Sequence, residues 1–557
     1  MAPEKKLALA VSFGPFEADL RSGELLKSGA KVKLQDQPFQ VLAALLERAG
    51  QVVTREELRQ EIWQADTFVD FERGLNKAIN RLRESLGDSA EEPKFIETLP
   101  RRGYRFIAPV ERNIRSLAVL PLQNLSGDPN REHWADGITD EMITHVARIV
   151  SLRVISRTSV MRFKNTEKST AKIARELGVD VVLQGSAVVS DQRVRIRVQL
   201  IDPFRDQHLW AEAYDRELGD VITLQAQIAQ AIARQIRARL TPEEHARSEP
   251  GRPVNPQAYE AYLKGRFFWN NRTAGGLEKA LEYFSRAVSI DAGYAPAYSG
   301  LADSCVIMGV FGFQSPHDLY PKAKKLAEKA LALDETLAEA HKSLAAVRDH
   351  YDWNWTSSEQ AFTRALELDP NCAIAHQWYA AMLSNVQRYE EAVEQALQAR
   401  DLDPLSLVIY AFVGFMQMRA GHHDQAIQEC NKAVELDPSN PFGRWMLARS
   451  FDAADKTVEA LQEAERAVML SGNLSPYAAQ LGYALARTGD RAGALRVLGQ
   501  LSERRDSGYV APFDVAFIYA GLGRSRFGIQ IPGCGLRGQD TSSSRPSLGE
   551  AVRSVAL

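Results

Sequence analysis

The chain has 557 residues, enough for roughly three or four domains with apolar cores of their own. Its 68 basic and 71 acidic residues leave a net charge of −3, which excludes a globally basic nucleic-acid or membrane binder; any such affinity must come from local clustering. The four cysteines form no CxxC pair, which excludes a disulfide framework or a zinc ribbon and points to a reducing, cytoplasmic setting.

Lys5 and Lys6 before a short apolar run imitate a signal peptide, but the run lacks a small-residue cleavage site and leads straight into strand-like sequence. Ser12 to Leu34 reads as a small sheet and Pro38 to Ala49 as a helix. A second helix opens at Thr54, where Glu57 three residues on completes a capping box. From Asp70 the pattern sharpens. Leu75, Ile79, Leu82 and Leu86 make one apolar helical stripe, and Arg73, Lys77, Asn80 and Arg81 fall on the opposite side. Between Arg73 and Arg83 there are four positive charges and no carboxylate. A helix of this kind has the dimensions and donors to enter a DNA major groove. Two short strands follow, Phe95 to Thr98 and Tyr104 to Ala108, with Arg101, Arg102 and Arg105 at or beside the hairpin tip, placed to touch phosphate or the minor groove. Residues 1–110 nevertheless carry 17 basic and 17 acidic side chains, so the acidic ones must lie on the far side.

Sheet, three helices and an Arg-tipped RRGYRF hairpin at Arg101 to Phe106 resemble the OmpR/PhoB-type winged helix-turn-helix over residues 10–110. The resemblance implies binding to double-stranded DNA, as a homodimer on tandem sites. It makes Arg73 a phosphate contact and Arg81 a base reader, with Asn76, Lys77 and Asn80 facing the groove. Arg101, Arg102, Tyr104 and Arg105 would form the wing contact. Arg83 turns towards the side of the helix.

Residues 114–240 read as an α/β domain. Ser116 to Leu122 is a buried strand, Trp134 to Val150 a helix, Arg153 to Ser156 a short strand and Thr170 to Leu177 a helix. Val179 to Val189 and a second strand, in which Val194, Ile196, Val198 and Leu200 alternate with Arg193, Arg195, Arg197 and Gln199, form a hairpin with one exposed face. His208 to Tyr214 is a further strand and Asp220 to Leu240 an amphipathic helix. Asp136 and Asp140 read as charges favoured near a helix N-terminus rather than as a catalytic pair. WADGITDEM at 134–142, LGVDVVLQGS at 177–186 and HLWAEAYDREL at 208–218 resemble the TolB amino-terminal-like domain. That resemblance implies sensing or oligomerisation.

A proline-rich linker at 241–256 leads to a 34-residue periodicity over 257–524. Ala346, Ala380, Gly414, Ala448, Gly482 and Ala516 keep one phase; Ala392, Ala426, Ala460 and Ala494 keep a second. LELDP, DLDP and VELDP recur at the ends of second helices. Small residues where helices cross, at this period, resemble tetratricopeptide repeats, which implies a superhelix whose groove binds a protein or peptide. Trp353, Trp355, Trp378 and Trp445 read as core or turn-packing residues. Residues 525–557, rich in Gly, Ser, Pro and Arg and spelling an accidental GxGxxG at Gly533 to Gly538, are expected to be a disordered tail left by a frameshift or truncation.

The expected fold is therefore multidomain: an α+β winged helix, an α/β domain and an all-α repeat solenoid. The expected function is a cytoplasmic, sequence-specific DNA-binding transcriptional regulator without a cofactor or metal. A scaffold whose winged helix contacts protein is the alternative. No apolar run is long enough to span a membrane, and no P-loop, kinase signature or nucleophile elbow marks an enzyme.

Overall fold

The computed structural model describes residues 10–20, 22–62, 71–190, 192–236, 254–270, 273–310, 313–504 and 510–523. The tail expected at 525–557 and most of the linker expected at 241–256 lie outside them.

Strands β1 (Ala10–Phe13), β2 (Phe16–Asp19), β3 (Glu24–Lys27) and β4 (Ala30–Val32) form an antiparallel meander. Helix α1 (Asp36–Glu47), strand β5 (Val52–Thr54), helix α2 (Arg55–Ile62) and helix α3 (Phe71–Leu86) follow. The hairpin β6 (Ile96–Leu99) and β7 (Gly103–Phe106) pairs through β7 with β5, and β8 (Glu111–Asn113) returns to pair with β1. The folded unit thus runs past residue 110, through a strand whose partner lies a hundred residues upstream. Phe13, Phe16, Phe95 and Phe106 meet edge-on or stacked, with neighbouring centroids 5.1–6.3 Å apart, and lock the meander onto the hairpin.

The middle region holds β9 (Ser116–Val119), β10 (Gln123–Asn124), α4 (Glu132–Ala147), β11 (Arg153–Val154), α5 (Arg157–Met161), α6 (Thr170–Leu177), β12 (Val181–Val189), β13 (Arg193–Asp202), β14 (Gln207–Glu217) and α7 (Val221–Gln235). Its sheet runs β11-β9-β12-β13-β14, parallel through β12 and antiparallel after it. The alternation expected in β13 holds: Val194, Ile196, Val198 and Leu200 are buried, and Arg193, Arg195 and Arg197 are exposed. Helix α6 begins at Ser169, whose side chain accepts from the Lys172 N–H, and ends at Gly178 in the left-handed region.

Seven antiparallel helix pairs and one further helix follow among the described residues. They are α8 (Pro256–Asn270), α9 (Ala274–Ile290), α10 (Ala295–Val310), α11 (Pro316–Leu333), α12 (Ala338–His350), α13 (Trp355–Leu368), α14 (Ala373–Asn385), α15 (Tyr389–Leu402), α16 (Leu407–Arg419), α17 (His423–Leu436), α18 (Pro441–Ala453), α19 (Thr457–Ser471), α20 (Ser475–Arg487), α21 (Arg491–Arg504) and α22 (Pro512–Gly521). The small-residue phases fall where helices touch: Ala346, Ala380, Ala448, Ala426 and Ala460 are buried. At Gly414 a Cβ would stand 2.4 Å from Cys430 Sγ, so a side chain there would push α16 off α17. Trp353 and Trp355 depart from the packing expected of them: they are 58% and 39% exposed where α12 gives way to α13, and the Trp353 φ is +54°. Among the described residues no helix is long and apolar enough to cross a membrane.

The middle region and the repeats share one continuous core. Trp134, Ile138 and Met142 of α4 pack with Tyr259, Tyr262 and Leu263 of α8. Asp136 and Asp140, expected as dipole partners at a helix start, are instead buried ion-pair members. Asp136 accepts from Lys164 at 2.6 Å, and Asp140 accepts two bonds from Arg266 of α8 at 2.9 and 3.0 Å. Beside them the Tyr262 hydroxyl donates to Glu141 at 3.0 Å. The recurring LDP turns make the second half of the contact. Asn371 accepts from the Val154 N–H and donates to the carbonyls of Ala147 and Leu152. Asp403 accepts from Ser159 at 2.5 Å, and the Leu402 carbonyl accepts from the Ser156 N–H. β11 is the edge strand of its sheet, and the outward N–H groups of Val154 and Ser156 are paired by turns of the repeat array.

Candidate nucleic-acid interface

The apolar stripe of α3 is fully inside: Leu75, Ile79 and Leu82 are at most 1% exposed, with Ala78 and Leu86 beside them. Turning 100° per residue then places Arg73, Asn76, Lys77, Asn80 and Arg81 in one continuous outer stripe, and all five are exposed. Arg101 and Arg102 are exposed at the tip between β6 and β7, Arg101 in the left-handed region at φ +62°. Gly103 follows because β5 passes so close that a Cβ there would lie 2.0 Å from the Val53 carbonyl oxygen. Helix stripe and wing tip together present cations on one module, as groove binding requires.

Among the described residues, Lys77, Arg101 and Arg102 carry no ion pair, which leaves three charges available to phosphate. Arg81 lies against the Gln35 side chain. Arg105 differs from its expected role at the wing: it sits opposite Glu97 across the hairpin and donates to that carboxylate at 2.7 Å, so its charge is already answered. Tyr104 differs too. It is only 3% exposed, and its hydroxyl donates to Asn76 Oδ1 at 3.1 Å, which makes it a brace beneath the helix. Burial pushes the Tyr104 phenol above its ordinary range, against the opposing pull of Arg55. Arg83 points inward and donates to the Ile96 carbonyl and to Thr98, tying α3 to the wing.

Arg55 has a role that no motif around it marks. Its guanidinium stacks 5.2 Å from the Tyr104 ring centroid, donates to the Tyr104 hydroxyl at 3.0 Å and pairs with Glu72 at 2.5 Å. One side chain at the start of α2 thereby fixes the entry of α3 against β7. The capping box that positions α2 is present as expected: the Thr54 N–H donates to Glu57 at 2.7 Å, and the Glu57 N–H donates to Thr54 Oγ1 at 3.2 Å. The Thr54 hydroxyl, which donates to the same carboxylate at 2.6 Å, and the Thr54 N–H together hold the Glu57 carboxyl below the usual range.

A short meander, three helices and an Arg-tipped wing define a winged helix with an open reading face. Residues 29–106 match the family described as the C-terminal domain of transcriptional regulatory proteins. Residues 113–231 match the second domain of HilA/YgeH-like transcriptional regulators, the segment likened above to a TolB amino-terminal-like domain, and residues 408–440 match the tetratricopeptide repeat. The chain is 25% identical over 383 residues to the transcriptional regulator HilA of Salmonella typhimurium, covering 67% of each protein. It is 34% identical over 133 residues to the cholera toxin homolog transcriptional activator of Vibrio parahaemolyticus, covering 24% of this chain and 42% of that one. It is 33% identical over 268 residues to a Rhizobium meliloti protein described as "Putative adenylate cyclase 3", covering 48% of this chain; the chain thus spans 43% of that relative's length. The relatives thus include proteins described as a transcriptional regulator and a transcriptional activator.

Proposed function

We propose that the protein is a sequence-specific DNA-binding transcriptional regulator, acting in the cytoplasm and without catalysis of its own. Residues 10–113 read DNA, the α/β region couples, and the repeat array receives a protein or peptide partner. The observation that carries this reading is the unbroken outer stripe of α3 beside the two exposed arginines of the wing tip, which carry no ion pair among the described residues. Arg73, Lys77, Arg101 and Arg102 hold backbone phosphate; Asn76, Asn80 and Arg81 face base edges, where an arginine reads guanine and an asparagine reads adenine. Tyr104, Arg55 and Arg83 position the helix without touching DNA. Binding as a homodimer on tandem sites belongs to the same reading. Its test is in-vitro selection from a random duplex library with the full chain. A recovered motif repeated at about one helical turn supports a dimeric reader. Recovery of no motif, with no retardation of any duplex at low salt, supports the alternative in which the charge-balanced winged helix contacts protein.

A further inference from the structure

On one face of the middle region's sheet Arg193, Arg195 and Arg197 of β13 are exposed. β9 lies between β11 and β12, so the chain leaves β9 in one direction towards β11 and leaves β12 in the other as an antiparallel hairpin. In open α/β sheets, ligand crevices form at the carboxyl ends of strands where the direction of travel reverses in this way. A cleft of about 930 Å³ opens there, between residues 120–125 that leave β9 and residues 163–173 that lead into α6. That volume suits a metabolite-sized ligand.

Leu125, 56% exposed, gives the cleft an apolar wall, backed by the buried side chains of Leu122, Phe163 and Ile173. Its floor is two cross-strand pairs, Gln184 opposite Gln199 and Ser186 opposite Arg197, whose side chains share one face of the sheet. Neighbouring cations are already engaged. Arg193 and Arg195 both donate to Asp215, Lys164 pairs with Glu132 and Asp136, and Lys168 pairs with Glu176. Arg197, two residues along the same strand, has no carboxylate or hydrogen-bond partner for its side chain among the described residues. An unanswered guanidinium among amides and a hydroxyl, next to an apolar wall, has the chemistry to hold an amphipathic anion.

We propose that this cleft binds a small organic anion, its carboxylate or phosphate on Arg197 and its apolar body against Leu125. The site is independent of DNA reading. Its wall is continuous with α5, whose Ser159 grips the Asp403 turn of the repeats, and with Arg162, which donates to the Leu405 carbonyl; a bound ligand therefore touches the segment that docks the array.

The test titrates the full-length chain with 8-anilinonaphthalene-1-sulfonate, an apolar body bearing one anion, and reads its fluorescence. Octanoate and phenyl phosphate compete in separate arms and distinguish a carboxylate from a phosphate ligand. Saturable binding displaced by at least one competitor is expected. Arg197→Ala should weaken the site by about tenfold or more, because a charge-assisted bond is lost. Arg195→Ala, on the same strand but held by Asp215, should leave it unchanged. Ser186→Trp, which fills the floor, should abolish it while the circular dichroism spectrum stays native. Equal binding by the wild type and Arg197→Ala, no saturable binding, or displacement by neither competitor would each overturn the proposal.

Discussion

Replacing Asn371 by alanine should free the edge strand of the middle region from the repeat array. Its amide accepts from the Val154 N–H at 2.9 Å and donates to the Ala147 and Leu152 carbonyls at 2.7 and 2.9 Å. The side chain is nearly buried, so water cannot replace these bonds without opening the contact. A buried group stripped of its partner costs on the order of 1–3 kcal/mol, and the groups here share one side chain as partner, so about 3 kcal/mol in total is expected. In local opening that is roughly a hundredfold change in amide exchange. Hydrogen–deuterium exchange of the peptide spanning 147–160 in the full chain measures it directly. Asn371→Asp sharpens the test: it keeps an acceptor for Val154 but turns an oxygen on two carbonyls, and should loosen the strand at least as much as alanine. Unchanged exchange in both variants would refute the claim that this turn secures β11.

Burial raises the Glu141 carboxyl to about 7, opposed by Arg266 and aided by Asp140 and Glu339. The folded state then holds a proton that the unfolded chain releases above about pH 4.3, so stability falls as pH rises from there to about 7 and levels off beyond. Glu141→Gln, which still accepts from Tyr262, should remove about 2 kcal/mol of that decline in urea unfolding followed from pH 5 to 8, leaving the parts due to Asp369, raised to about 7, and Asp514, raised to about 6, against the opposite contribution of His145, which burial lowers to about 4; parallel curves for wild type and variant would contradict this. Gly103→Ala puts a Cβ into the Val53 carbonyl and should cost more than 2 kcal/mol in winged-helix stability, where a neutral result in thermal unfolding would show that β5 can yield. Arg83→Ala should lower that domain's melting temperature, whereas Lys77→Ala should leave the temperature unchanged and weaken only DNA binding; the reverse ranking would invert the assignment of inward and outward faces.

What could be read in advance was local and periodic. The α3 stripe, the Thr54 capping box and the 34-residue phase each repeat within a turn or a unit, so a few neighbouring residues declare them. What escaped was decided by partners far along the chain. Arg55 gains its role from Tyr104, 49 positions away, and Asn371 from Val154, 217 positions away. Asp140 looked like a helix-start charge because Arg266 cannot be seen from α4. Tyr104 and Arg105 belong to an RRGYRF signature whose residues alternate across a strand, so one is buried and the other meets Glu97; the motif alone does not say which.

The salt dependence of duplex binding, measured by fluorescence anisotropy on a selected site, tests the central claim most directly. The logarithm of affinity should fall linearly with the logarithm of salt concentration, and removing Lys77, Arg101 or Arg102 should each reduce the slope by about one. Arg105→Ala, whose charge Glu97 already answers, should leave the slope within error of wild type. A slope near zero, or equal slopes for the wild type and all three cation variants, would mean that the outer face of α3 and its wing do not lie on DNA.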